Sequence, residues 1–128
     1  MCPEHAGVVI IDDETENLAD ISQCLQQEGH QVIGEYQSFV AVKEALENKT
    51  FPFGLVQVII ADAAAGRNPL GAPAIREIRA AADELGIKMA YVIGNSSMYP
   101  VEGANINNIG KDLSALPKLV TAAPDVLK

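Results

Sequence analysis

Five short apolar runs alternate with stretches of helical periodicity along this chain, and that alternation constrains the fold more than any other feature. "GVVII" (7–11), "QVIGEY" (31–36), "LVQVIIAD" (55–62), "KMAYVI" (88–93) and "INNI" (106–109) read as strands. Between the first two, Leu18, Ile21 and Leu25 recur at helical spacing, and Gly29 closes that helix. Ser38 is placed to cap a second helix with Phe39, Val42 and Leu46 on its inner face. After the Gly/Pro-rich loop "AAAGRNPLGAP", a third helix has Pro73 near its first turn. Its buried stripe is Ile75, Ile78, Ala82 and Leu85, and Gly86 ends it. A last helix is expected from Ser114, which puts Pro117 in the first turn, where it costs little. Strands separated by helical crossovers make a parallel, doubly wound α/β sheet. The segment "GNSSMYPVEGAN" is too short, and too interrupted by Pro100, to hold a full helix.

At 128 residues, with 48% hydrophobic residues, the chain reads as one domain, 1–128, able to bury a core without staples. A formal net charge of −8 argues against direct binding to nucleic acid or anionic membrane, which both need a basic footprint. It suits a protein that binds cations or meets a basic partner. Cys2 and Cys24 have no metal-type spacing and suggest no disulfide framework, so a reducing cytoplasm is the expected location. "MCPEHAG" lacks the regions of a signal peptide, and no apolar run has the length of a membrane span. His5 and His30 are expected to be solvated, and Cys24 to pack beside the first helix without chemical work.

In doubly wound sheets the working site lies beyond the carboxyl ends of the strands. Asp12 and Asp13 follow the first strand and Asp62 follows the third, so three carboxylates converge on one edge. Two ionised carboxylates about 4 Å apart repel by about 4 kcal/mol at an effective dielectric near 20. A fold that keeps them together has a cation, a lysine or a catalytic reason. Asp13 followed three residues on by Glu16 also has the spacing of a capping-box variant, which accounts for one acid but not for the pair.

Four segments in order carry a family resemblance. They are the opening "VVIIDDETENLADISQCLQQEGHQVI", the strand "VIIAD", the helix start "GAPAIREIR", and "GAN…GK" ending at Lys111. Over nearly its whole length the chain resembles the receiver domain of bacterial two-component response regulators. The resemblance implies a flavodoxin-like strand order 2-1-3-4-5. It implies phosphorylation of Asp62 by a histidine kinase or phosphotransfer protein. It also implies Mg²⁺ held by Asp13 and Asp62, with Asp12 direct or through water and the backbone carbonyl of Ala64 completing the protein ligands. Lys111 would contact the phosphoryl group. An output domain or partner protein would receive the signal. Beyond its own aspartyl phosphorylation and dephosphorylation, no enzymatic activity is expected.

The sequence departs from the family pattern on the output side. The serine or threonine that ends the family's fourth strand is replaced by Gly94 or Asn95, with Ser96 and Ser97 just beyond, and we assign Asn95 to the site. The switch aromatic, three residues before the lysine, falls on Asn108, and the proline after the lysine is Asp112. The fourth helix is expected to be shortened or absent. A pseudo-receiver acting as a phosphorylation-independent interaction module is therefore the alternative. A third class, hydrolase or flavin binder, fits poorly. A dehalogenase-type phosphatase needs a second aspartate two positions on, where Asp12 and Asp13 have Glu14 and Thr15. The acidic first loop would also repel a cofactor phosphate. Arg67 lies in the loop after Asp62 and is a further candidate for meeting a phosphoryl group.

Overall fold

The structure, a computed structural model, describes residues 7–62, 64–65, 68–69, 71–96, 101, 103–109 and 113–123. In chain order the elements are β1 (Gly7–Ile11), α1 (Thr15–Gln27), β2 (Gln31–Tyr36), α2 (Phe39–Glu47), β3 (Val58–Ala61), β4 (Ala64–Ala65), β5 (Asn68–Pro69), α3 (Gly71–Leu85), β6 (Tyr91–Ser96), β7 (Ile106–Ile109) and α4 (Leu116–Ala122). The main sheet has order β2-β1-β3-β6-β7 with every pairing parallel. Counting its strands alone, that is the expected order 2-1-3-4-5. The two short strands β4 and β5 form a separate antiparallel ribbon inside the Gly/Pro-rich loop.

Alternation along the central strands sorts the core into two layers, because successive side chains point to opposite faces. Val9, Ile11, Ile59, Ala61 and Val92 pack against Val42 and Ala45 of α2 and Ala74, Ile75 and Ile78 of α3. Val8, Ile10, Val58, Ile60 and Ile93 face Leu18, Ile21 and Leu25 of α1 and Leu116 and Val120 of α4. The central strands β1 and β3 are covered on both faces, hence their unbroken apolar runs.

The helix ends follow their sequence signals. Ser38 Oγ accepts from the Ala41 N–H at 3.1 Å, capping α2. Gly29 has φ +88°, and its N–H donates to the Gln26 carbonyl while that of His30 donates to Leu25, a Schellman end to α1. Gly86, at φ +71°, repeats the arrangement after α3.

Four local expectations are corrected. Leu85 is not part of the α3 stripe: it is 61% exposed, while Ala74 takes a place in the core. The chain enters α4 through a 3₁₀ turn at Leu113–Ala115, so the helix starts two residues after Ser114, with Pro117 still in its first turn. His30 is buried, not solvated, and its Nε2 lies 3.1 Å from Thr121 Oγ1. Thr121 donates its own proton to the Pro117 carbonyl, so the His30 Nε2–H is the donor in that contact. Finally, β6 runs on to Ser96, taking Gly94 and Asn95 out of the loop and into the sheet.

Among the described residues no helix lies between β6 and β7; Val101 and Gly103–Asn105 are turn, bend or irregular chain. Two asparagines hold this crossover down. Asn105 Oδ1 accepts from the Val92 N–H at 2.8 Å, and Asn107 Oδ1 accepts from the Val101 N–H at 2.8 Å. Val101 is buried and packs over Gly94, where a Cβ would collide with Asn107 Oδ1 and lie 2.9 Å from Val101 Cβ. Arg79 Nη2 donates to the Gly103 carbonyl at 3.2 Å, tying the turn to α3. Side-chain amides and one valine thus pin the described part of this crossover to the sheet.

Candidate phosphoacceptor and metal site

Asp12 and Asp62 are positioned by the ends of neighbouring strands. The Asp62 N–H donates to the Ile11 carbonyl at 2.8 Å, and the Asp12 N–H donates to the Tyr36 carbonyl at 3.0 Å. The ladder therefore continues one residue past each strand and fixes both backbones. Asp12 is 1% exposed and Asp62 7%, while Asp13 is partly exposed. Asp12 Oδ1 accepts from the Glu14 N–H at 3.0 Å, which orients that carboxylate.

One carboxylate oxygen from each of Asp12, Asp13 and Asp62 lies within 4.8 Å of the others. The expected convergence is present. The N-cap of α1 is Glu14, with no side-chain cap bond, so Asp13 is not serving as a helix cap. At 4–5 Å and an effective dielectric near 20, each ionised pair in such a cluster repels by about 3–4 kcal/mol.

The donor set fits a small hard cation. Mg²⁺ takes oxygen ligands at about 2.1 Å, so oxygens across an octahedron stand about 4 Å apart and the rest closer. Three carboxylate oxygens at these separations need small adjustments to share such an ion, with waters filling the remaining positions. Ala64 lies two residues beyond Asp62 in β4, paired with Pro69. Lys111, Arg67, Ser97 and Asp112 lie outside the described residues.

On the other side of Asp62 stands β6. The last β3–β6 pair is Ala61 with Gly94, so Asp62 and Asn95 are the next residues along adjacent strands. Asn95 is 3% exposed and Asn108, its partner in the β6–β7 register, is 8% exposed. Asn108 Nδ2 donates to Asn95 Oδ1 at 3.1 Å. The two positions that the resemblance assigns to a hydroxyl and an aromatic switch are thus joined by a direct amide–amide hydrogen bond. The sequence carried a signal for it, "GNS" facing "NNI" in parallel register, but only the extension of β6 makes the pairing visible. Asn95 also lines a cavity of about 150 Å³ with Asn17, Asp20 and Ile21 of α1 and with Leu113 and Leu116.

No protein-family model matches the sequence, and no curated protein matches it. Solved structures do match. A response regulator receiver protein from Pseudomonas putida superposes with a TM-score of 0.68 at 20% identity, over 93% of this chain and 98% of that one. This chain has the receiver-domain fold. A chain of the CheX–CheY–BeF3–Mg complex from Borrelia burgdorferi shares the receiver fold with a TM-score of 0.68 at 17% identity, over 91% and 87% of the two chains. The anti-anti-sigma factor PhyR from Bartonella quintana matches at 0.64 and 22%, over 91% of this chain and 47% of that longer one. At such identities the likeness is one of fold; in open α/β sheets generally, ligands bind beyond the carboxyl ends of the strands, which is where the three acids sit. Among the described residues no helix is long and apolar enough to cross a membrane.

Proposed function

We propose that this chain is a signalling receiver that accepts a phosphoryl group on Asp62 from a histidine kinase or a phosphotransfer protein in a Mg²⁺-dependent reaction. The observation that carries the reading is the meeting of Asp12, Asp13 and Asp62 within 4.8 Å at the carboxyl edge of a receiver fold. Asp12, Asp13 and Asp62, with the carbonyl of Ala64, would hold the Mg²⁺. The ion would supply positive charge against the acids and against the incoming phosphoryl oxygens.

The rest is work for the chain's own groups. An Asp62 carboxylate oxygen attacks phosphorus as the bond to the donor imidazole nitrogen breaks. That nitrogen keeps the electron pair, and Asp62 becomes an acyl phosphate. Phosphoryl transfer asks mainly for positioning and charge stabilisation. Asp62 is held by its ladder bond to Ile11, and Asp12 by its bonds to Tyr36 and Glu14. Lys111, by the resemblance, would pair with the phosphoryl group. The chain would then turn over nothing except its own phosphate, work in the cytoplasm, and signal to an output domain or partner protein without touching nucleic acid directly.

The test is incubation with acetyl phosphate, with and without Mg²⁺, followed by intact mass. The reading expects a labile gain of one phosphoryl group in the parent with Mg²⁺ and none in Asp62→Asn. No gain in the parent, under conditions that modify an ordinary receiver, overturns it.

The Asn95–Asn108 pair favours one second reading, a pseudo-receiver whose surface binds a partner without phosphorylation. An anti-anti-sigma factor shares the fold. That reading expects Mg²⁺ and phosphoryl analogues to leave partner binding unchanged.

A further inference from the structure

We infer that the cleft between the C-terminal ends of α2 and α3 is a docking surface for a second copy of this chain. Leu46, Lys49 and Phe53 line one side of it and Ala81, Glu84 and Leu85 the other, around about 410 Å³. In a parallel sheet each crossover helix ends near the amino edge, so the cleft lies at the opposite end of the fold from Asp12, Asp13 and Asp62. The inference therefore stands apart from the receiver reading, and a copy docked here leaves the acids open. Two observations single the cleft out. Leu85 is 61% exposed at one lip, while the cleft also holds the rings of Phe51 and Phe53, with centroids 4.8 Å apart. An exposed leucine alone would mean little, but one at the lip of an aromatic-lined hollow offers a knob next to a hole. The second observation is Lys49, at φ +60° the only non-glycine among the described residues in the left-handed region. α1 and α3 put Gly29 and Gly86 at the same place in the same terminal hydrogen-bond pattern. A cation favours the helix dipole from anywhere in the last turn, so the dipole alone does not call for lysine at this φ. Here it sets a positive charge at the cleft.

The two charges select the occupant. Lys49 and Glu84 stand on opposite walls, and among the described residues neither is held in an ion pair within its own chain. An apolar helix would use neither charge, and a ligand of one sign would use one and be repelled by the other. A second copy uses both. Turned about a two-fold axis running along the cleft, it sets each Lys49 wall against the other copy's Glu84 wall, and each Leu85 against the other copy's Phe53. The same pairing is thus made twice. Two chains of net charge −8 repel at a distance, so the association draws on these local pairs and on the apolar contact between them.

Sedimentation velocity of the full chain over a concentration series, without any phosphodonor, measures the association. The variants are Leu85→Asp, Lys49→Glu, Glu84→Lys and the exchange Lys49→Glu/Glu84→Lys. Val40→Asp is the control, as exposed as Leu85 but outside the cleft. All these positions are exposed, so each variant is expected to match the parent in circular dichroism and thermal midpoint. The parent is expected to show a monomer–dimer equilibrium. Its dissociation constant should rise about tenfold or more in Leu85→Asp and in each single reversal, which sets like charges face to face. The exchange should bring it back to within about threefold of the parent, and Val40→Asp should leave it unchanged. A parent that stays monomeric at about 1 mM overturns the inference. So does a dimer that the single reversals leave intact or that the exchange fails to restore. Native mass spectrometry reads the other occupants: a monomer carrying a co-purified ligand or peptide that Leu85→Asp loses gives the cleft to that molecule and overturns the second copy. The acetyl phosphate result is independent of all these outcomes, because the acids lie at the other edge.

Discussion

The backbone N–H of Asp62 donates to the carbonyl of Ile11, the residue before Asp12, across 2.8 Å, so two buried carboxylates stand side by side on adjacent strand ends. That relationship comes from parallel pairing of β1 with β3 in a fixed register, Ile11 opposite Ala61. With Asp13 it gathers three of the chain's 17 acidic residues at one point.

The crowded acids make metal-free stability a measure of their repulsion. Asp13→Asn is expected to stabilise the protein in chelator by about 1 kcal/mol, a few degrees in thermal midpoint, well below the unscreened pair energies because water screens the partly exposed Asp13. The same variant should lose most of the stabilisation that Mg²⁺ gives the parent, which for a ligand at about a hundred times its Kd is about 2.7 kcal/mol. Scanning calorimetry in chelator and in Mg²⁺ checks both signs. Raising the salt concentration should shrink the chelator difference, since Asp13 is partly exposed.

Gly94 is required by contact, not by its φ. A methyl group there would meet Asn107 Oδ1 and Val101 Cβ, and Asn107 Oδ1 is the acceptor that holds the Val101 N–H. Gly94→Ala is expected to cost about 1–3 kcal/mol, the range for overpacking a filled site. Urea denaturation should show a lower midpoint with an unchanged slope.

The strands and their acid tips were legible because they follow from local pattern: apolar runs, helix caps, and aspartate directly after Ile11 and Ala61. The parallel, doubly wound sheet followed from the alternation of strands and helices, while the strand order came from the resemblance, and the solved receiver structures agree with both. What was not legible depends on partners distant in sequence. Gly94, Asn95 and Ser96 read as turn residues by propensity, and they are strand because β7 lies beside them. Leu85 has the right helical spacing to be buried, but lies at the end of α3, where it is 61% exposed. His30 is buried because α4 brings Thr121 to it from the far end of the chain.

Tyr36 provides an alkaline test of the packing at the end of β2. Its ring stacks on Phe51 with centroids 5.8 Å apart, and burial raises its phenol above the ordinary value near 10. A raised folded value means the folded state holds the proton more tightly than the unfolded chain. The resulting stability is fully present below about pH 10 and is lost as pH rises through the folded value. The urea midpoint should fall over that range in the parent, and less steeply in Tyr36→Phe.

Cys24 is a thiol that the structure keeps quiet. Desolvation raises its pKa first, and the neighbouring Glu28 carboxylate raises it further, so little thiolate exists at neutral pH. Its Sγ lies 3.7 Å from the Leu113 carbonyl. Alkylation followed by peptide mapping should show Cys24 reacting more slowly than a free thiol at neutral pH. Glu28→Gln should speed it modestly.

The most direct test of the central claim is to locate the modified residue. The protein is treated with acetyl phosphate and Mg²⁺, reduced at once with borohydride, which converts an acyl phosphate to an alcohol, and mapped by peptide mass spectrometry. The account predicts homoserine at position 62 and aspartate at positions 12 and 13. Unreduced aspartate at 62, or reduction at another acid, would contradict it.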